Sequence, residues 1–307
     1  MLFSHLVLKV RIVPILLLAL VGACVPGRAD DSGRLTVVAG FYPLAYAAER
    51  VGGRLVDVHN LTPPGVEPHD LELTPNEIAE IDQADVVLYL GRGFAPAVGD
   101  AVADAQGVTV DLLQGMPVRQ GVPEGEGQGP AVDPHVWLAP ALYRRVVGRT
   151  ERALARARPR DSSTFEKGAA TFDRALARLD REYRRGLTGC TRNVIVTSHA
   201  AFGYLADRYG LVQEPISGLS PDAEPDPARL ADLAALVKRE GVTTIFTEEL
   251  VSPKVADTLA REVGVATKVL NPLEGLTTEE AAAGEDYVSV MRANLKTLEQ
   301  ALGCPSA

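Results

Sequence analysis

The chain has 307 residues, 46% hydrophobic and 23% charged, enough for two domains of roughly 100–150 residues, and this composition excludes disorder and collagen-like repeats. Lysine and arginine number 31 against 40 aspartates and glutamates, and the formal charge of −9 argues against a sequence-independent grip on nucleic acid, which needs a basic face. The only long apolar run lies at the extreme N-terminus, so the remainder offers no helix able to span a bilayer.

In chain order, Lys9 and Arg11 precede the apolar residues 12–21, which have the charge and length of an export signal and are too short for a membrane span. Val21-Gly22-Ala23-Cys24 resembles the bacterial lipobox, in which small residues precede a cysteine that is diacylated and becomes the mature N-terminus. This reading gives a signal peptide over 1–23 and a linker over 24–33. It also places a lipid anchor on Cys24, because two acyl chains hold a membrane where one does not. The protein then sits in the bacterial cell envelope, on the outer face of the cytoplasmic membrane. The alternative is a plain signal peptide cut near Ala29, with Cys24 discarded.

Residues 35–39, 55–61, 86–90 and 108–112 read as short strands separated by amphipathic segments, a βα pattern. A second series begins at 193–197 and continues through 243–247 and 267–270, so the fold class is α/β with two open sheets. Helix starts are marked at Thr74-Pro75-Asn76-Glu77, Asp226-Pro227 and Ser252-Pro253. Between the two series, Phe165, Ala169, Phe172, Leu176, Leu179, Tyr183 and Leu187 step by threes and fours. They predict one helix over 162–186, about 37 Å long at 1.5 Å per residue, suited to a rigid strut joining two lobes. The expected organisation is an N-terminal α/β lobe over 34–160, a linking helix over 161–188 and a C-terminal α/β lobe over 189–307. Residues 123–130 read as a Gly-rich acidic loop.

Cys190 and Cys304 are the thiols that remain once Cys24 is set aside, in a compartment where paired cysteines oxidise, so a bridge is expected; two unrelated buried thiols are the alternative. His5 is lost with the signal, and alternation along 55–61 puts His59 on the face away from Val56 and Val58, where it reads as a solvent-side residue. His69, His135 and His199 each lie in turn-rich sequence beside a strand end or helix start, where open α/β sheets place their ligands. Three neutral imidazoles plus one further ligand complete a zinc tetrahedron. Spacings of 66 and 64 residues mean that only the tertiary fold can assemble such a site.

Pro68-His69-Asp70-Leu71-Glu72-Leu73-Thr74-Pro75, Asp133-Pro134-His135-Val136-Trp137-Leu138 and Ser198-His199-Ala200-Ala201-Phe202-Gly203-Tyr204-Leu205-Ala206, with Arg208-Tyr209-Gly210-Leu211, resemble the motifs of the zinc/manganese solute-binding proteins of ABC importers. The resemblance covers essentially the whole mature chain. It implies two α/β lobes joined by one long helix, with one metal ion in the cleft between them, held by His69 and His135 from the first lobe and His199 from the second. It also implies a membrane permease as partner and a protein that is not an enzyme, and a monomer is the expected state. Manganese members of the family carry a carboxylate at the third position, so His199 points to the zinc branch and to Zn(II), one per chain, as the transported ligand. Imidazole-rich sites suit zinc, whereas Mn(II) prefers oxygen.

Two features depart from the family pattern. Its usual Asp-Pro-Leu stretch reads Asn271-Pro272-Leu273 here, so the expected fourth ligand is a water held by Asn271, the alternatives being Asn271 itself or Glu248 or Glu249 after the strand at 243–247, any of which could instead support the ligands from behind. The histidine-rich loop of many zinc members is replaced by the loop bearing Glu124 and Glu126. The competing functions are a three-histidine zinc hydrolase, which HExxH or another familiar catalytic signature does not accompany here, and a manganese-binding or adhesin-like surface lipoprotein of the same fold.

Overall fold

The computed structural model describes Met1 and residues 33–121, 132–221 and 225–305. The export signal with Cys24, and the loop carrying Glu124 and Glu126, lie outside the described residues. No helix among the described residues is long and apolar enough to cross a membrane.

The first series builds β1 (Leu35–Ala39), α1 (Tyr42–Gly52), β2 (Val56–Asn60), α2 (Pro75–Gln83), β3 (Val86–Tyr89), α3 (Pro96–Ala101) and β4 (Val108–Asp111), followed by α4 (Pro140–Ala157). The strands form one parallel sheet in the order β2-β1-β3-β4. β1 and β3, at its centre, are the apolar runs Leu-Thr-Val-Val-Ala and Val-Val-Leu-Tyr, as strands covered on both faces require. Thr74 and Glu77 close a reciprocal capping box at the start of α2. His59 is half-exposed on β2 and pairs with Glu80.

α5 (Ser162–Gly186) is the linking helix. Its buried stripe of Phe165, Phe172, Leu176, Leu179 and Tyr183 faces α1 and α4 at one end and the second lobe at the other. Gly168 lets α5 lie against α1, because a Cβ there would come within 2.2 Å of the Val51 carbonyl oxygen.

The second lobe contains β5 (Val194–Thr197), α6 (Gly203–Tyr209), β6 (Val212–Pro215), α7 (Pro227–Glu240), β7 (Thr244–Thr247), α8 (Lys254–Val263), β8 (Ala266–Val269), α9 (Thr278–Ala283) and α10 (Tyr287–Leu302). Its parallel sheet runs β6-β5-β7-β8, the same order as the first. The edge strand β6 was not expected from sequence. Asp226 caps α7 through the Ala228 N–H as anticipated, but α8 opens one residue after Pro253, which occupies its cap position without a side-chain bond.

A second helix accompanies the strut. α10 starts beside the first lobe, where Asp286 accepts from the Tyr46 hydroxyl and Tyr287 packs on Tyr143. It runs along α5, where the Tyr183 hydroxyl donates to the Met291 carbonyl, and ends in the second lobe. There the Cys190–Cys304 disulfide ties its C-terminal end to the segment between α5 and β5. One apolar core therefore runs from the first sheet through α5 and α10 to the inner part of the second lobe. A smaller core, built on Val196, Ile216, Leu233, Val237, Ile245 and Leu259, lies under α7 and α8.

Candidate metal centre

Each of the three histidines leaves the C-terminal end of a sheet or the loop before a helix. His69 sits in a 3₁₀ turn (Pro68–Asp70), where its backbone N–H donates to Glu67 Oε1 at 3.2 Å. His135 opens the 3₁₀ turn Val136–Leu138, which leads into α4. His199 stands two residues past the end of β5, with its carbonyl accepting from Thr197 Oγ1 and Gln213 Nε2.

The fold brings the three rings together around one carboxylate. Glu274 Oε1 lies 3.2 Å from His69 Nε2, 3.0 Å from His135 Nε2 and 3.2 Å from His199 Nε2. His135 Nε2 and His199 Nε2 are 3.4 Å apart. Ligand atoms held at 2.0–2.1 Å from a tetrahedral zinc ion would be separated by about 3.3–3.4 Å, so these spacings are close to those of a coordination tetrahedron. All four candidate atoms lie within 4.8 Å of one another. His135, His199 and Glu274 are buried, and only His69 retains some exposure, about 10% of its side chain. Beside it opens a recess of about 280 Å³ lined in part by Arg92, Phe94, Pro134 and Leu219.

The opposite ring nitrogens fix which atoms are free to bind. His135 Nδ1 lies 2.9 Å from Asp133 Oδ1, and His199 Nδ1 lies 2.7 and 2.8 Å from the two oxygens of Glu248. A carboxylate at Nδ1 holds the proton there and leaves the Nε2 lone pair pointing inward, the usual support for a metal-bound histidine. Glu248 therefore orients a ring and is not itself among the converging atoms. Glu249 is exposed and outside the cluster.

Asn271 corrects the sequence expectation. Its Oδ1 accepts from the Leu273 N–H at 2.7 Å and its Nδ2 donates to Glu280 Oε1 at 3.1 Å, so the amide is occupied outside the cluster. The carboxylate stands three residues further on, at Glu274, beyond a turn in which Leu273 adopts φ +55°. A sequence signal for it existed: Glu274 is an acid in the turn after the last strand, the same criterion that singled out the histidines.

Charge at the site is balanced internally. Burial opposes the imidazolium of His199, but the charges of Glu248 and Glu274 outweigh it and raise its pKa well above the ordinary value. Burial likewise opposes charge on His135, and hydrogen bonds to Asp133 and Glu274 raise its pKa. Glu274 is pushed up by burial yet held well below the ordinary carboxylate range by His199 and by hydrogen bonds from the three rings. Glu67 is pushed up to about 8 by burial and by the charge of Glu274. Two buried carboxylate oxygens, Glu67 Oε2 and Glu274 Oε2, have no hydrogen-bond partner among the described residues. Three inward Nε2 atoms and an incompletely satisfied buried carboxylate are a donor set suited to a divalent cation that displaces the ring protons between them.

The lobes are stitched together beside this cluster. Trp137 Nε1 donates to the Pro272 carbonyl at 2.8 Å, and the Tyr204 hydroxyl donates to the Asp133 carbonyl and accepts from the Arg119 N–H, both at 2.8 Å. Gly203 allows the approach of α6, since a Cβ there would meet Arg119 Nε at 2.7 Å and Asp133 Oδ2 at 3.0 Å.

Two α/β lobes bridged by helices, with a buried ligand cluster between them, define the architecture of a solute-binding protein. A family model described as zinc-uptake complex component A, periplasmic, matches residues 37–301, and the chain belongs to this family. It is 40% identical over 289 residues to the zinc-binding lipoprotein AdcA of Streptococcus pneumoniae, covering 91% of this chain but only 58% of that protein. It is 38% identical over 299 residues to the high-affinity zinc uptake system protein ZnuA of Bacillus subtilis, covering 92% and 94% of the two chains. The crystal structure of the Zn(II)-bound ZnuA-like domain of S. pneumoniae AdcA matches with a TM-score of 0.75 at 41% identity, covering 88% of this chain and 99% of that one. The laminin-binding protein Lmb of Streptococcus agalactiae, described as a bifunctional protein with adhesin and metal transporting activity, matches with a TM-score of 0.79 at 30% identity, covering 87% and 99%.

Proposed function

We propose that this protein is the extracytoplasmic zinc-binding component of an ABC importer, which captures one Zn(II) per chain and delivers it to a membrane permease. The ligands are His69, His135, His199 and Glu274. The observation that carries the reading is the convergence of three Nε2 atoms and one carboxylate oxygen at near-tetrahedral spacing in a buried position between the lobes. Three imidazoles favour zinc over Mn(II), and the Zn(II)-bound state of the related AdcA domain supports the same assignment. Four protein ligands leave no open position for a substrate water, which separates the site from hydrolytic zinc centres.

The functional division is a first lobe over 34–160, a linking helix over 161–188 and a second lobe over 189–307. The chain acts as a monomer, held by a lipid on Cys24 to the outer face of the cytoplasmic membrane. Zinc and protons compete for the same imidazole nitrogens, so zinc affinity falls as the pH is lowered.

Protein purified without chelator should contain one zinc per chain and should prefer zinc in competition with manganese. His135→Ala should weaken zinc binding by more than about 100-fold, beyond the usual cost of losing a supporting group alone. Wild-type affinity in that variant, measured by competition with a chelator, overturns the assignment.

A further inference from the structure

Glu274 is presented by a segment that packs Leu270, Leu273 and Leu276 into the apolar core and is tied by a chain of side-chain hydrogen bonds. The backbone N–H of Asn271 donates to Asn294 Oδ1 at 2.9 Å, and Asn294 Nδ2 donates to the Asn271 carbonyl at 2.7 Å. Asn294 thus pairs with both backbone groups of one residue, continuing hydrogen bonding just beyond the end of β8. It does so from within α10, where asparagine is a poor helix former and an unpaired buried amide would be costly, and it is only 3% exposed. The Asn271 side chain then accepts from Leu273 N–H and donates to Glu280, whose other oxygen accepts from Thr277 N–H at the start of α9. Leu273 takes a left-handed conformation that L side chains rarely adopt, and Pro272 is held from the first lobe by Trp137. Beyond this clamp, Glu274 turns Oε1 to the three rings and leaves Oε2 without a partner among the described residues.

We propose that Asn271 and Asn294, acting with Glu280, are positioning residues that restrict Glu274 to a single ligating oxygen and so favour four-coordinate Zn(II) over Mn(II). The proposal rests on Glu274 being the fourth ligand. Mn(II) favours oxygen donors and higher coordination, which a carboxylate free to rotate and supply Oε2 would serve. Both positions require an amide because each side chain must donate and accept at once. A carboxylate at 271 would keep the bond from Leu273 but face Glu280 with a like charge.

Asn271→Asp should therefore lower the ratio of zinc to manganese affinity by about tenfold or more, read by competition on one preparation. Its Co(II)-loaded form should lose intensity in the visible bands of four-coordinate cobalt. Adding Glu280→Gln should restore both readouts, since donor and acceptor merely change sides while the amide oxygen can still accept from Thr277. Asn294→Ala should reproduce the altered ratio in protein whose circular dichroism remains native. If Asn271→Asp does not fold, the double variant against wild type and Asn294→Ala carry the same comparison. Unchanged ratio and cobalt spectrum in the folded variants overturn the proposal, as does a double variant that stays impaired. Intact zinc affinity in Glu274→Gln overturns the ligand assignment and this proposal with it, whereas an impaired Glu274→Gln beside an unaltered Asn271→Asp overturns this proposal alone.

Discussion

The two sheets have the same strand order, but the layers around them are not equally anchored. The first sheet shares a continuous apolar core with α1, α4, α5 and α10, and that core reaches the inner residues of the second lobe, including Ile195, Phe202, Phe246 and Leu273. The outer part of the second lobe, α7 and α8 with Val196 and Ile245 beneath them, rests on a separate and much smaller core. All four candidate ligands are carried by segments packed on the larger core. The contrast teaches that similar topology does not imply uniform stability: the ligand cluster is attached to the most firmly packed part of the molecule, while the outer layer can open locally without dragging the site with it.

The largest test of that contrast is Phe172→Ala. Phe172 is buried in α5, with its ring edge-on to those of Tyr46 and Tyr143 at 5.3 and 5.7 Å. Its loss should cost about 3–5 kcal/mol, lower the melting temperature and weaken zinc binding together. Leu233→Ala, in the small core, should cost about 2–3 kcal/mol and accelerate amide exchange in α7 and α8 while leaving zinc affinity unchanged. A parallel loss of zinc affinity in Leu233→Ala would show that the two cores act as one.

Replacing both Cys190 and Cys304 with serine removes a link across 114 residues and should destabilise by about 2–4 kcal/mol, seen as a lower midpoint in chemical denaturation. The effect should appear in the second lobe first, because the link closes that lobe on itself.

The smallest expected effect is at the junction of strut and second lobe. Asp180 on α5 accepts from Arg208 and from Tyr209, whose hydroxyl is at 2.9 Å, and also from Arg184. Burial opposes its charge, but the hydrogen bonds from Arg208 and Tyr209 prevail and hold its pKa below the ordinary 3.8. A depressed carboxyl contributes stability that is complete above the unfolded value and is lost as the pH falls through the lower folded value. Asp180→Asn should therefore cost about 1–2 kcal/mol near neutrality, and the gap from wild type should narrow below about pH 4. A gap independent of pH would assign the loss to packing.

Much of this architecture was legible because its signals are local. The apolar stripe from Phe165 to Tyr183 marked the linking helix, and the three histidines stood in turns at strand ends. β6 escaped because Val-Gln-Glu-Pro carries little apolar pattern, and its strand character comes from pairing with β5 at a sheet edge that tolerates proline. The direction of α10, which makes the bridge double, depends on tertiary contacts such as Tyr46 with Asp286. Glu274 was missed for a similar reason: family pattern drew attention to Asn271, whereas the left-handed Leu273 turns the following carboxylate inward, and no periodicity announces such a turn.

The bonds that join Trp137 to Pro272, and Tyr204 to Asp133 and Arg119, also set a clock. If an ion bound behind them leaves by parting of the lobes, its dwell time would follow the frequency of that opening as well as the strength of its own coordination. With about 1 kcal/mol added to the opening barrier by each bond, release slows roughly fivefold per bond, or about a hundredfold for the three together. A strong chelator in solution would then strip the ion slowly even when equilibrium favours it. An acceptor that loosens these three contacts would draw the same ion out quickly without competing for a single ligand.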